Sequence, residues 1–519
     1  MTLIRGARLP QDEGPAVDLA VAGGTITAIT PAGQGEADGE VIDAGGRLAM
    51  PGFIDAHAHA EAAVFDSDVQ HAMLRQGVTS VVTGNDGVSL APAPGATGQW
   101  ATDYFAAING PHPDGPQPSI AALRATYAGR TRINVAPLVP HGNLRHMVVG
   151  GQDRPATADE LERMRDLLRT ALAEGACGMS TGLEYQPGGY ADAAELAVLG
   201  QVLAEHGLPH SSHMRGYEAE APLAMGELAR IATASGVATH ISHLHGPAGE
   251  LLEVLRLMRA DGLDVTFDSY PYLRGASILS MVALPDWLPL ADPDHTLGLL
   301  AQESTREKLL REHLPTKAEV WPRVRMAHVP GELSWTEGMT LPEVAERMGR
   351  TAEEAVLQLL VTTRLRAGCV FAQPPTNSAE SVRALLREEG HIASSDAIYF
   401  GGRPHPRGWG AFARFLAECV RDRDDWTWAQ AAWHLSGGAA QRFRLGDRGR
   451  LAPGMAADIA LVDPQSVQDN ATYEQPRRLA TGIEDVLVGG RAVLRGGELT
   501  EHLTGTALAP TPVTGDDHA

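Results

Sequence analysis

Apolar residues recur along most of this chain in two alternating rhythms. Short apolar and β-branched runs at residues 53–59, 79–83, 133–139, 178–183, 208–213, 239–243, 265–270 and 391–395 predict strands. The stretches between most of them carry apolar residues at helical spacing, most clearly at 158–174, 191–206 and 222–235. The first of these helices also has a start signal, because Thr157 followed three residues later by Glu160 reads as a capping box. Eight strand and helix repeats predict an α/β chain folded as a (β/α)8 TIM-type barrel. Residues 284–340 break the rhythm with proline, tryptophan and lysine, which predicts an insertion after the seventh strand, and residues 370–371 read as a candidate extra strand.

The two ends have a different pattern. Short β-runs at 16–21 and 25–30 flank Gly23-Gly24, another at 40–43 precedes Gly45-Gly46, and runs at 457–462 and 485–494 lie near the C-terminus, the last turning at Gly489-Gly490. Each set is too small to bury a core alone, so the two together predict one small β-sandwich domain formed by both chain termini. The expected division is 1–50 and 446–505 for the sandwich and 51–445 for the barrel, with a disordered tail at 506–519, where Pro, Thr and Asp dominate.

Composition narrows the function classes. The chain has 519 residues, 20% of them charged, and a net charge of -22 with no basic block, which argues against nucleic acid or an anionic membrane as partner. No apolar run approaches the ~18 residues of a membrane span and none follows residues 1–9 as a signal core would, so a cytoplasmic location is expected. Cys177, Cys369 and Cys419 are too few and too scattered for a disulfide framework. The only lysines are Lys308 and Lys317.

In barrels of this kind the active site lies at the C-terminal ends of the strands. The polar residues there are His57 and His59, then Asp86, His141, Glu184 with Tyr185, His213, His243 with His245, Tyr270, and Asp396. Alternate side chains of a strand share a face, so His57 and His59 can turn their rings toward one ion. A His-x-His pair alone fits a solvated hairpin tip equally well; agreement among eight strand ends argues against coincidence. Four histidines and two aspartates match the imidazole and carboxylate donors of a catalytic zinc site that leaves a position open for water. Zinc lowers the pKa of such a water to about 7, and a carboxylate beside it can take the proton, which points to hydrolysis. A two-ion site needs a bridging ligand. A carbamylated lysine at the end of the fourth strand is excluded because no lysine precedes Lys308, leaving a carboxylate, Asp86 or Glu184.

The stretch Pro51-Gly52-Phe53-Ile54-Asp55-Ala56-His57-Ala58-His59 resembles the metal-binding first strand of the amidohydrolase superfamily. Further stretches resemble its N-acyl-D-amino-acid deacylase (D-aminoacylase) branch: Gly-Val-Thr-Ser-Val-Val-Thr-Gly-Asn at 77–85, Ser-Thr-Gly-Leu-Glu-Tyr at 180–185, His-Met-Arg at 213–215, Ile-Ser-His at 241–243 and Tyr-Pro-Tyr at 270–272. Ser-Ser-Asp at 394–396, His-Pro-Arg at 405–407, Asp-Arg-Gly at 447–449 and Gly-Met-Ala-Ala-Asp at 454–458 complete the likeness, which runs over roughly residues 1–500. The resemblance implies hydrolysis of the amide of a small N-acyl-D-amino acid to a carboxylate and a free D-amino acid, with hydroxide on the metal as nucleophile. It implies zinc as cofactor, one ion or two, with Mn or Co as workable substitutes. By position, His213 and His243 would hold the tighter ion and His57 and His59 the second, with Asp86 and Asp396 as further ligands. Asp396 would be the catalytic acid and base, and Tyr185, Tyr270, Ser277 and Arg407 would lie near the substrate carboxylate.

Two departures stand out. Members of this branch usually carry cysteine where this chain has Asp86, and a carboxylate is the harder ligand. A lysine is expected where His245 stands, and histidine is mostly neutral at pH 7. Arg145, Arg215 and Arg407 remain as candidate carboxylate clamps, and His141 as a candidate oxyanion or carboxylate contact. The competing readings are another amidohydrolase activity, on dipeptides or cyclic amides, and a barrel that has no catalytic role.

Overall fold

The first barrel strand, Phe53–Asp55 continued by Ala58–His59, pairs in parallel with Val78–Thr83, and that strand pairs with Asn134–Pro137. The third strand breaks at Leu138 and resumes as Val139–Pro140. From there parallel pairing passes through Met179–Gly182, His210–His213, Thr239–Ile241 and Val265–Ser269 to His391–Ala393. The eighth strand resumes as Ala397–Ile398, which pairs with Ala58–His59, and Ala56 N donates to Ala393 O across the same seam at 3.3 Å. The ring is therefore closed, a (β/α)8 barrel. This computed structural model describes residues 1–11, 14–36 and 38–512.

Local chemistry explains the elements. All six residues of Val78–Thr83 are buried, as expected of a parallel strand covered on both faces. The helix Ala158–Ala173 starts with both bonds of its capping box: Thr157 Oγ1 accepts from Glu160 N, and the Glu160 carboxylate accepts from Thr157 N at 2.8 Å.

Both termini build the sandwich. One sheet has the order Thr25–Pro31, Val17–Ala22, Thr2–Ala7, Glu40–Asp43, and the other runs Glu498–Leu499, Arg491–Arg495, Ile483–Val488, Ile459–Val462, Leu48–Pro51. Ile4, Leu19, Ile26 and Ile42 of the first meet Ile459, Leu461 and Leu487 of the second in one apolar core. Leu48–Pro51 leads straight into the first barrel strand. A buried carboxylate ties the two bodies: Asp458 accepts from Arg448 Nη1 at 2.5 Å, Asn134 Nδ2 at 2.9 Å and Gly489 N at 2.8 Å.

Two expectations need correction. The insertion is wider than 284–340: Arg274–Ile278, Val324–His328 and Gly368–Ala372 form an antiparallel sheet of their own, covered by the helices between them. Only Gly368–Ala372 of these strands is an apolar run, while Arg274–Ile278 and Val324–His328 carry charged and polar residues, so the apolar pattern alone does not mark where the barrel is left. The tail is also not disordered over all of 506–519. Val135 N donates to Thr506 O at 2.9 Å, Leu508 N to Val135 O at 2.8 Å and Thr511 N to Arg444 O at 2.8 Å, so this segment satisfies free backbone groups on the barrel's third strand and beyond. Residues 513–519 lie outside the described residues.

Among the described residues no helix is long and apolar enough to cross a membrane. Replacing Asp458 by alanine leaves the half-buried Arg448 with Asp447 alone and removes the buried acceptor of Asn134 and Gly489. Asp458→Ala should lower unfolding free energy in denaturant titration by about 3 kcal/mol; a shift within about 0.5 kcal/mol, typical of a surface change, would show that this joint is not structural.

Candidate metal centre

Four histidines converge on Asp86 at the C-terminal ends of the strands. His57 Nε2 is 3.5 Å from Asp86 Oδ1 and His59 Nε2 3.5 Å from Oδ2. On the other side His213 Nδ1 is 3.8 Å from Oδ2 and His243 Nε2 3.7 Å from Oδ1. His57, His59 and Asp86 thus form one possible ligand group, and Asp86, His213 and His243 a second, with the same carboxylate in both. Donors bound to a tetrahedral zinc at its usual bond lengths lie about 3.3–3.6 Å apart, close to this spacing. Asp396 Oδ1 stands 3.6 Å from both His57 Nε2 and His59 Nε2. The sequence alternatives for a bridge are separated: Asp86 is shared, whereas Glu184 Oε2 sits 2.7 Å from His213 Nε2, on the far side of that ring.

The backbone is bent to make this convergence. Asp86, His243 and Asp396 all have left-handed φ, at 57°, 35° and 48°, a region non-glycine residues seldom occupy outside sites that hold them there. Gly87 is needed beside Asp86: a Cβ there would lie 2.6 Å from Gly182 N, so only glycine lets this turn approach the fourth strand.

Charge explains why a cation fits. His57 Nδ1 and Nε2 and Asp86 Oδ1 are buried without a hydrogen-bond partner among the described residues. Burial alone would push the imidazoles toward neutrality, but the facing carboxylates outweigh it and raise His57 to about 9 and His59 to about 10. Protonated imidazoles are thus stabilised where a metal would otherwise supply the positive charge. Burial likewise disfavours ionised Asp86, yet the surrounding histidines hold its carboxyl well below the ordinary range. Asp396 is kept ionised against burial by Arg407, whose Nη2 is 2.8 Å from Asp396 Oδ2.

Several residues that orient these ligands were not singled out in the sequence. Asp268, on the seventh strand, accepts from His243 N at 3.0 Å and Ser394 Oγ at 2.5 Å, while its other oxygen faces His240 Nε2 at 3.1 Å and His57 Nδ1 at 3.6 Å. It links the sixth, eighth and first strands. Glu61 accepts from Gly84 N at 2.8 Å and Ser89 Oγ at 2.7 Å, clamping the turn that carries Asp86. Asn109 Oδ1 lies 3.2 Å from His59 Nδ1, which leaves Nε2 for an ion. The one sequence signal for Asp268 was an acid beside Val265 and Phe267 in the strand Val265–Ser269.

A cavity of about 580 Å³ opens over His213 and His243. Of the residues expected to meet substrate, Tyr185, His245, Tyr270 and Ser277 line it. Arg407 does not; it is fully buried, with its Cζ 4.5 Å from the Tyr270 ring centre and its Nε and Nη1 without a partner. His141 does not line it either, because its Nε2 pairs with Glu195 at 2.9 Å, and Arg145 is bound to the same Glu195. Arg215 lines the cavity but is engaged by Glu227 at 3.0 Å and by the Gly189 and Ala191 carbonyls. His245 stacks on Tyr217 at 4.7 Å, and burial lowers its pKa to about 4, so it brings no cation where a lysine was expected.

Residues 40–494 match the model of the amidohydrolase family. The chain belongs to this family. Within it, the chain is similar to N-acyl-D-glutamate deacylase of Alcaligenes xylosoxydans xylosoxydans, 33% identical over 92% of this chain and 89% of that protein. D-aminoacylase of the same organism is 32% identical over 98% of this chain and 96% of the relative. Among solved structures, N-acyl-D-glutamate deacylase from Bordetella bronchiseptica, complexed with zinc and a phosphonate mimic of the tetrahedral intermediate, superposes with a TM-score of 0.83 at 30% identity, over 98% of this chain and 99% of that one. A D-aminoacylase described as having a binuclear metal centre superposes with a TM-score of 0.80 at 29% identity, over 98% and 99%. Histidine and carboxylate donors, orphaned buried ligand atoms and zinc in the relatives agree, and this amidohydrolase has a site suited to zinc.

Asp268 makes no direct contribution to either ligand group, so its loss tests the orienting shell alone. Asp268→Asn should weaken zinc binding about 10–100-fold in chelator competition; unchanged affinity would reduce Asp268 to a packing role.

Proposed function

We propose that this amidohydrolase is a cytoplasmic, zinc-dependent deacylase of N-acyl-D-amino acids, releasing a carboxylate and the free D-amino acid. The observation that carries the reading is the shared Asp86 between two histidine pairs, with Asp396 held beside one pair and Arg407 behind it. Likeness over nearly the whole chain to N-acyl-D-glutamate deacylase and D-aminoacylase supplies the substrate class. Three buried, unpaired cysteines suit a reducing compartment.

Zinc, held by His57, His59 and Asp86 or by Asp86, His213 and His243 with Asp396 close by, would polarise the amide carbonyl and acidify water. The chain's own residues do the rest. Asp396, ionised at neutral pH because Arg407 faces it, accepts the proton of the attacking water. As the carbon–nitrogen bond breaks, the same carboxyl returns that proton to the leaving nitrogen, so the amine departs neutral. Arg407, with donors left over, and the hydroxyls of Tyr270 and Ser277 are the groups suited to the substrate's α-carboxylate.

Asp396→Asn should retain most of its zinc by metal analysis and lose about 10²–10⁴-fold in kcat; full activity would remove the proton shuttle. A screen of N-acetyl D- and L-amino acids tests the reaction itself. Turnover confined to D-enantiomers is expected, and faster cleavage of L-dipeptides or cyclic ureas would replace the deacylase reading with another amidohydrolase activity.

A further inference from the structure

The charges around the cavity carry information about the amino-acid side chain. Arg215 is the only lysine or arginine among the described residues lining it, and its donors are already taken by Glu227 and by the carbonyls of Gly189 and Ala191. Three carboxylates, Glu184, Glu220 and Asp286, line the same space. Arg407 lies outside this lining, behind Tyr270, where its Nη2 already faces Asp396 at 2.8 Å and its Nε and Nη1 are left for one further anion. Met281, Val282 and Phe371 of the inserted subdomain contribute apolar surface to the cavity.

We propose that the side-chain subsite of this enzyme takes uncharged, apolar D-amino acids and rejects D-glutamate and D-aspartate. This rests on the deacylase reading and adds the class of side chain to it. Every N-acyl-amino acid brings one carboxylate, and Arg407 is suited to it. A second carboxylate, on the side chain, would stand among these three exposed carboxylates with no unpaired lysine or arginine among the described lining residues, and like-charge juxtaposition disfavours binding. A methionine or leucine side chain would instead cover Met281, Val282 and Phe371 and remove apolar surface from water. Selectivity then comes from repulsion of the wrong side chain as much as from attraction of the right one. The likeness to an N-acyl-D-glutamate deacylase therefore extends to the reaction and stops at the side chain.

The test is kcat/KM of the zinc-loaded enzyme for N-acetyl-D-methionine, N-acetyl-D-leucine, N-acetyl-D-glutamate and N-acetyl-D-aspartate. The apolar pair should exceed the acidic pair by at least about thirtyfold. An acidic substrate turned over as well as or better than the apolar pair overturns the side-chain assignment and leaves the deacylase reading standing. No turnover of any of the four overturns both. A second arm uses Met281→Lys, which keeps an unbranched side chain and adds the missing cation. Its ratio of D-glutamate to D-methionine turnover should rise at least about tenfold over the parent enzyme; an unchanged ratio would show that the side chain does not meet this surface.

Discussion

One buried carboxylate surrounded by four buried imidazoles is the constraint on which the rest of this molecule depends. Asp86 carries negative charge although it is buried, and the imidazoles around it balance that charge only if protons or metal ions are held between them. The barrel accepts a local backbone cost to set this up, since three of the converging residues sit in left-handed conformations. Closing the ring by pairing the eighth strand with the first brings Asp396 to His57 and His59, and Asp396 N donates to His57 O at 2.8 Å. Asp268, Glu61 and Glu184 then fix the rings and turns from behind. The centre and the residues behind it are thus a property of the whole barrel, drawn from seven of its strands or the turns that follow them.

Chemistry and selection are divided between two parts of the chain. The barrel holds the candidate ligands and Asp396, while the subdomain inserted after the seventh strand supplies Gly275, Ser277, Met281, Val282 and Phe371 to the cavity. A change in that subdomain can alter which substrate fits without moving a ligand, which is consistent with one family hosting deacylases for different amino acids.

Much of the site was legible because strand periodicity is simple. His57 and His59 are two apart, and every barrel strand ends in a polar residue at nearly the same register, so the ligands could be read before any fold was known. Asp86 was legible at a strand end as one of two carboxylates that could bridge, and its place between two histidine pairs depends on the turn at Gly84 and Gly87. His141 was misleading: its partner Glu195 comes from the helix Ala193–Glu205, and no local pattern joins residues 54 apart. Asp268 was hidden for the opposite reason, being a single acid inside a buried strand whose partners come from three other strands. In the fold, the strand Thr2–Ala7 went unread, although it lies between two neighbours in its sheet, and of the inserted sheet only Gly368–Ala372 left an apolar run to read.

The central claim is that Asp86 is shared by the metal centre, and crystallographic anomalous scattering at the zinc edge tests it most directly. The account predicts zinc within about 2.0–2.2 Å of an Asp86 carboxylate oxygen, as expected of a zinc–carboxylate bond, with His213 and His243 or His57 and His59 completing the ion's ligands. Zinc bound by histidines with Asp86 turned away, or no zinc at these residues in a zinc-loaded active enzyme, would contradict it.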